Sequence, residues 1–244
     1  MKMKNLLPIA FVSLLSQGIA ALVTVGDGAY VSFGSVADLV AGTDGTLVTN
    51  TFTGSVGAFH DGTDLYILGG SGNVFLDQNG VPGNPVTNQG VSWFGTNIRS
   101  AYSDGTNYVV QLSDAASTSD GTSYANGAYL SFASIADFVA GDNQTLLTTA
   151  NTASIGAFHD GTTLFNVAGN GTVFQDTDQT PGGGTSLGVA WFGTDVRSIY
   201  SDGTNYIVQL SDTRTFDDGL VVPEPTSAAL LGLGGLTLLV RRRR

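Results

Sequence analysis

The chain has 244 residues and no cysteine, so disulfide bonds cannot support its fold. Its formal net charge is −11, but the span 21–225 holds only three arginines, no lysine and all twenty acidic residues, and so carries a formal charge of −17. A surface this acidic repels phosphate backbones and anionic headgroups, which argues against nucleic-acid binding and against peripheral membrane binding.

Residues 1–20 have the pattern of a secretory signal peptide. Lys2 and Lys4 precede the apolar run 6–15, and Gly18-Ile19-Ala20 supplies small residues for a cleavage site. We expect cleavage after Ala20 and export through the Sec pathway.

The body that follows is one unit written twice. The string GAYVSFGSVADLVAG, which begins at Gly28, recurs as GAYLSFASIADFVAG from Gly127, and WFGTNIRSAYSDGTNYVVQLSD recurs as WFGTDVRSIYSDGTNYIVQLSD. We therefore predict a first β repeat at 21–114, a linker at 115–126 and a second β repeat at 127–221.

Turn signals divide each repeat into strands. Asp-Gly between apolar runs favours a β-hairpin, because glycine readily adopts the positive φ that such a turn requires. Four hairpins are predicted, at Asp61-Gly62, Asp104-Gly105, Asp160-Gly161 and Asp202-Gly203, and apolar runs at 30–33, 74–76 and 91–94 with their second copies add further strands. Capping patterns at Ser35 and Ser134 predict two short helices, over 35–41 and 134–140.

These elements predict an all-β, duplicated, pseudo-symmetric body. Four hairpin units of about 40–50 residues suit a small four-bladed β-propeller. The alternative is two sequential β-sandwich or barrel modules, one for each copy, since both architectures use hairpins with the same periodicity.

The two histidines of the chain occupy equivalent places. His60-Asp61 and His159-Asp160 each precede Gly-Thr, whereas the related hairpins carry Ser103 and Ser201 there. A His-Asp pair could act in acid–base chemistry or bind a metal. A strand end followed by an aspartate that accepts turn N–H groups is the alternative, and it is the one we favour.

Two further sets of residues are candidates for binding. Oxygen donors spaced by two, Asp77 and Asn79 in the first copy and Asp176 and Asp178 in the second, would suit Ca²⁺, although we favour the alternative that they are solvated loop acids. The aromatic pairs that begin at Trp93 and Trp191 could stack on sugars, although aromatic residues in such runs more often pack in a core. Arg99 and Arg197 are expected to pair with turn aspartates.

The last segment, 222–244, has three parts. Val222-Pro223-Glu224-Pro225 precedes the uncharged run TSAALLGLGGLTLLV, which is followed by Arg241, Arg242, Arg243 and Arg244. As a helix that run would span roughly 22 Å, less than the roughly 30 Å of a bilayer core, and the arginines would remain on the cytoplasmic side. We predict a short transmembrane helix that holds the chain in the inner membrane only transiently.

This segment resembles the PEP-CTERM sorting tail of Gram-negative bacteria. The resemblance implies recognition and removal by an exosortase, and a link to exopolysaccharide and biofilm. We therefore expect a non-enzymatic protein of the cell surface or extracellular matrix, with a structural, adhesive or glycan-binding role. The alternatives are a secreted polysaccharide hydrolase or lyase that uses a histidine with its neighbouring aspartate, and a Ca²⁺-dependent binding module.

Overall fold

The structure is a computed structural model that describes residues 19–49, 53–82, 86–148, 152–177, 179 and 181–222. The predicted transmembrane helix, most of the predicted signal peptide and Asp178 lie outside these ranges. Residues 22–219 form one compact unit, which contains all of the large sheets.

Short strands dominate the described part of the chain. In chain order the elements are β1 (Ile19–Val25), β2 (Tyr30–Phe33), α1 (Val36–Ala41), β3 (Thr46–Thr49), β4 (Ser55–His60), β5 (Leu65–Gly69), β6 (Asn73–Asp77), β7 (Thr87–Val91), β8 (Ile98–Ser103), β9 (Tyr108–Leu112), β10 (Ala116–Ser117), β11 (Ser123–Tyr124), β12 (Tyr129–Phe132), α2 (Ile135–Ala140), β13 (Thr145–Thr148), β14 (Ser154–His159), β15 (Leu164–Ala168), β16 (Thr172–Asp176), β17 (Thr185–Val189), β18 (Val196–Ser201), β19 (Tyr206–Leu210) and β20 (Arg214–Val222).

Within the described ranges, the strands build four antiparallel four-stranded sheets, which are the blades of a β-propeller. The first blade is β4-β5-β6-β7, the second β8-β9-β12-β13, the third β14-β15-β16-β17 and the fourth β18-β19-β2-β3. The first strands of these blades, β4, β8, β14 and β18, are neighbours in a closed ring around the axis. This arrangement confirms the predicted propeller and rules out two sequential sandwiches.

The blades do not follow the boundaries of the sequence repeat. The second blade takes β8 and β9 from the first copy and β12 and β13 from the second, while the fourth blade pairs β19 with β2. Two further pairs, β1 with β20 and β10 with β11, complete the sheets. The pairing of β19 with β2 joins an early strand of the chain to a late one and so closes the ring.

The second strand of each blade (β5, β9, β15 and β19) is buried on both faces because each blade is covered by its two neighbours. All five residues of β5 are buried, which explains why LYILG is a continuous apolar run rather than an alternating one. Two large aromatic cores lie between the first and second blades and between the third and fourth. Smaller apolar clusters lie at the other two interfaces.

The predicted turns and helices are confirmed. The four Asp-Gly turns join β4 to β5, β8 to β9, β14 to β15 and β18 to β19, and Gly62 has φ +97°. Ser35 caps α1 by accepting a 3.1 Å hydrogen bond from the Asp38 N–H, and Gly42 ends it in the left-handed conformation. Ser134 and Gly141 do the same for α2.

The predicted strand at 91–94 is wrong beyond Val91. The chain leaves the sheet there because Ser92 and Trp93 find other partners: the Ser92 N–H bonds to the Gly72 carbonyl and the Trp93 N–H bonds to the Val139 carbonyl. The second copy turns away in the same manner, with the Trp191 N–H bonded to the Val40 carbonyl. Each tryptophan therefore ties the chain between two blades to one of the helices.

Candidate functional site

The four Asp-Gly turns meet at one end of the propeller axis. Contacts between neighbouring hairpins place them there: the Tyr108 hydroxyl bonds to Asp61, and the ring of Tyr102 stacks on His159 with centroids 6.3 Å apart. The innermost strands consequently end in a ring of two histidines and two serines, which alternate around the axis. The residues of this ring are His60, Ser103, His159 and Ser201.

Both histidines serve as acceptors within their own turns. The Gly62 N–H donates to His60 Nδ1 at 3.0 Å, and the Gly161 N–H donates to His159 Nδ1 at 2.9 Å. Ser103 and Ser201 accept the equivalent bonds through Oγ at 3.1 Å. Because Nδ1 is an acceptor, the neutral imidazole carries its proton on Nε2 and can offer only that N–H to a ligand.

The two imidazoles lie in different surroundings. His159 is 6% exposed, and its Nε2 has no hydrogen-bond partner in the described part of the chain. His60 is half-buried. Both copies share one arrangement, however: His60 pairs with Leu65 and Leu65 with Asp77, so the imidazole and the carboxyl lie on one face of the blade, and His159, Leu164 and Asp176 repeat it. Two strand spacings, roughly 10 Å, separate their backbones.

Two of the four turn aspartates, Asp61 and Asp160, link neighbouring blades. Asp61 Oδ1 accepts bonds from the Thr63 and Asp64 N–H groups, and its Oδ2 accepts from Tyr108 at 3.0 Å. Burial acts to raise the pKa of Asp61, but these hydrogen bonds outweigh it, so the pKa lies below its usual value. Asp160 is bonded in the same way by Tyr206, at 2.9 Å. Burial, and then the bond to this carboxylate and its charge, raise the pKa of Tyr206 to about 12.

The proposed calcium ligands are placed mainly in the interior. Asp77 is fully buried, its Oδ1 accepts the Asn79 N–H at 3.2 Å, and burial raises its pKa. Asp176 is 2% exposed, whereas the Asn79 side chain is exposed. The two aspartates are therefore buried rather than solvated. Over the described ranges, no group of three or more His, Asp or Glu residues is arranged to hold a metal ion.

The tryptophans pack against aromatic side chains and the helix ends. Trp93 contacts Phe94 and Phe132, and Trp191 contacts Phe33, Phe192 and Phe216. A Cβ added to Gly42 would lie 2.5 Å from Trp191 Cγ, and one added to Gly141 would lie 2.6 Å from Trp93 Cγ. The absence of a side chain at these helix caps is what lets the indoles lie against them.

The opposite ends of the innermost strands carry a polar network that the sequence reasoning recovered only in part. Arg197 forms an ion pair with Asp27 and donates to the Ser55 carbonyl, as predicted for a turn aspartate. Arg99 donates instead to Asn126 and to the Ser154 carbonyl. The buried Gln111 and Gln209 donate to Ser154 Oγ and Ser55 Oγ. These bonds join the second blade to the third and the fourth to the first.

Two cavities adjoin this network. One lies on the axis, lined by Arg99, Arg197 and their neighbours, and its volume of about 10 Å³ matches a single water. The other has a volume of about 390 Å³, and Ser154, Asn166 and Phe174 are among its walls. Sequence reasoning missed Asn166, although one signal was present: the LYILG strand of the first copy becomes LFNVA in the second, with Asn166 in the place of Ile67.

The C-terminal segment is the part of the chain that matches a known family model. Residues 221–244 match the family model described as the PEP-CTERM protein-sorting motif. The chain carries a PEP-CTERM sorting motif. Val222 lies at the end of β20, and Pro223, Glu224, Pro225 and the four arginines lie outside the described residues. No helix within the described ranges is long and apolar enough to cross a membrane.

The PEP-CTERM motif implies a surface protein that is sorted by an exosortase, secreted, and anchored in the membrane only transiently before display. No curated protein matches the chain significantly. Among solved structures, the chain is similar to PorZ, an essential bacterial surface component of the type-IX secretion system of Porphyromonas gingivalis, at 15% identity and a TM-score of 0.35. The match covers 74% of this chain and 22% of PorZ, so the chain spans about a fifth of that protein's length.

Proposed function

We propose that the protein is a non-enzymatic component of the bacterial surface or extracellular matrix that adheres to exopolysaccharide in a biofilm. In this proposal residues 1–20 direct export through the Sec pathway of a Gram-negative cell, and an exosortase then processes the tail. The PEP-CTERM motif at 221–244 is the observation that carries the proposal, because it supplies the destination.

The charge of the body supports a role outside the cell. With −17 over residues 21–225, copies of the protein repel one another and remain dispersed. The same charge disfavours binding to anionic polymers, so the exopolysaccharide to which it adheres carries few or no negative groups.

The role of the histidines favours adhesion over catalysis. Each imidazole uses Nδ1 to accept a turn N–H, a task that Ser103 and Ser201 perform equally in the other two hairpins. A hydrolase would instead need one of these rings to move a proton to or from the substrate. The hydrogen bonds therefore give each histidine a structural role in its turn that involves no transfer of a proton.

The test combines localisation with sedimentation. The wild-type protein is expected in the surface or medium fraction of its own producing cells and to sediment with their isolated exopolysaccharide. A Pro223→Ala/Glu224→Ala/Pro225→Ala variant is expected to stay in the membrane fraction. Wild-type protein that does not sediment with the polysaccharide, or that releases new reducing ends from it, would overturn the proposal.

A further inference from the structure

The second copy contains a polar residue in the interior where the first copy has an apolar one. Asn166 is 4% exposed, and neither its Oδ1 nor its Nδ2 has a hydrogen-bond partner among the described residues. Its counterpart Ile67 is fully buried in the cluster between the first and fourth blades. A buried amide without hydrogen-bond partners lowers stability, so its presence here calls for an explanation such as ligand binding.

Asn166 lies in the wall of the cavity of about 390 Å³ on the third blade. This volume is within the range of small-molecule sites. The pairing of Ala157 with Asn166, and of Asn166 with Phe174, places these three side chains on one face of the blade. Ala157 belongs to the cluster with Tyr102 and Tyr129, so this is the face that packs against the second blade.

The rim of the cavity is built from glycines, where the sequence of the first copy has larger residues. Asn84-Pro85-Val86 of the first copy is replaced by Gly183-Gly184 in the second, one residue shorter. Gly182, Gly183 and Gly184 form the exposed rim, and Gly184 has φ +121°, a backbone conformation that favours glycine. The half-buried Phe174 is the largest residue of the lining.

The lining determines which ligands fit. It comprises Ala153, Ser154, Asn166, Ala168, Phe174 and the three glycines, and none of these is charged. An amide offers a donor and an acceptor side by side, which matches vicinal hydroxyls or an acetamido group, and an aromatic ring contacts the apolar face of a sugar. The strongly acidic body disfavours an anionic sugar.

We propose that this cavity, hereafter the Asn166 cavity, binds a neutral sugar residue, with Asn166 as the residue that fixes its orientation. The inference rests on the proposed adhesion to exopolysaccharide, and it adds the site and the chemical class of ligand. The first copy, with Ile67 in the same place, has no equivalent amide.

The test uses the full chain in mild detergent and three probes: D-glucose, D-galactose and N-acetyl-D-glucosamine. Saturable binding of at least one of them is expected by calorimetry. Asn166→Ile, which installs the residue of the first copy, is expected to weaken it at least tenfold, and Phe174→Leu to weaken it less. Leucine has nearly the same volume as isoleucine but is not branched at Cβ. Asn166→Leu therefore serves as the second variant if the isoleucine side chain prevents folding.

Three outcomes decide the matter. Loss of sugar binding in a folded Asn166→Ile protein supports the proposal. Equal binding by wild type and Asn166→Ile overturns it, as does a wild-type protein that binds none of the three sugars. Sedimentation with exopolysaccharide keeps the two proposals separate: a wild type that sediments although the cavity fails to bind sugar retains the adhesive function without this site.

Discussion

The hydroxyl of Tyr108 donates a 3.0 Å hydrogen bond to Oδ2 of Asp61, across the interface between the first and second blades. Tyr206 and Asp160 repeat the contact between the third and fourth blades. At the other two interfaces, Gln111 and Gln209 bond to serines at the opposite ends of the innermost strands. Two kinds of polar clamp thus alternate around the ring, as the duplication requires.

Removing either tyrosine hydroxyl is expected to lower stability, and Tyr108→Phe should cost somewhat more because the Tyr108 hydroxyl also interacts with that of Tyr66, whose counterpart is Phe165. Tyr108→Phe and Tyr206→Phe each delete one charge-assisted bond to a partly exposed carboxylate, at a cost of about 1 kcal/mol. Thermal unfolding of the full chain should show this as a fall in Tm of about 2–4 °C for each variant. The double variant should show the sum, because the two interfaces share no residues. A double variant as stable as wild type would refute the clamp.

The stability difference between wild type and Tyr108→Phe is expected to depend on pH. The folded pKa of Asp61 lies below its unfolded value of about 3.9. The folded state therefore binds fewer protons than the unfolded state, and the stabilisation from ionised Asp61 is fully present above the unfolded pKa. It is lost as the pH falls through the folded pKa. The difference in Tm should therefore be constant above about pH 5 and shrink below about pH 4. Both proteins carry the same charges, so their difference excludes general repulsion. A difference that does not change between pH 6 and pH 2.5 would contradict the assignment.

Substitution of the first helix cap is expected to destabilise the protein through Trp191. Gly42→Ala places a Cβ 2.5 Å from the indole Cγ at φ +71°, so it combines backbone strain with overpacking. Gly62→Ala is the control, since φ is +97° and nothing lies within 4 Å of the new Cβ. We expect Gly42→Ala to cost about 1–3 kcal/mol more than Gly62→Ala. Equal Tm values would show that the indole moves aside freely.

Replacing both histidines by serine is expected to leave fold and adhesion intact. His60→Ser/His159→Ser installs the residue that already accepts the turn N–H in the other two hairpins. The change in Tm relative to wild type should be smaller for this variant than for His60→Ala/His159→Ala, because alanine leaves the glycine N–H groups without an acceptor. Sedimentation with exopolysaccharide should be unchanged in both variants. A serine variant that folds normally but loses a cleavage of the polysaccharide that the wild type performs would favour the enzymatic alternative, and one that only loses binding would contradict the expectation that adhesion is unaffected.

Asn166→Ile is expected to stabilise the unliganded protein. It removes a buried amide that has no partner among the described residues, which should increase the free energy of unfolding by about 1–3 kcal/mol. The reciprocal Ile67→Asn should lower it by a comparable amount. Tm measured without sugar checks both. An Asn166→Ile protein less stable than wild type would contradict the assignment of Asn166 as a buried amide whose hydrogen bonds are unsatisfied.

Local features of the protein were accessible from sequence because short-range chemistry dictates them. Asp-Gly turns require a positive φ at glycine, and Ser35 and Ser134 cap helices within three residues of themselves. The internal repeat then predicted a symmetric all-β body, and the order of the tail residues predicted the sorting motif. None of these inferences needs to know which distant residues meet.

Only the tertiary structure decided how the copies combine and which residues are functional candidates. Pairing of β9 with β12 and of β19 with β2 crosses the repeat boundary, and alternating faces alone cannot specify a strand's partner. The burial of Asp77 and Asp176, which were expected in solvated loops, is likewise visible only in the tertiary structure. Asn166 acquires its significance in the same way, because an amide is costly or useful according to what surrounds it, and long-range packing determines those surroundings.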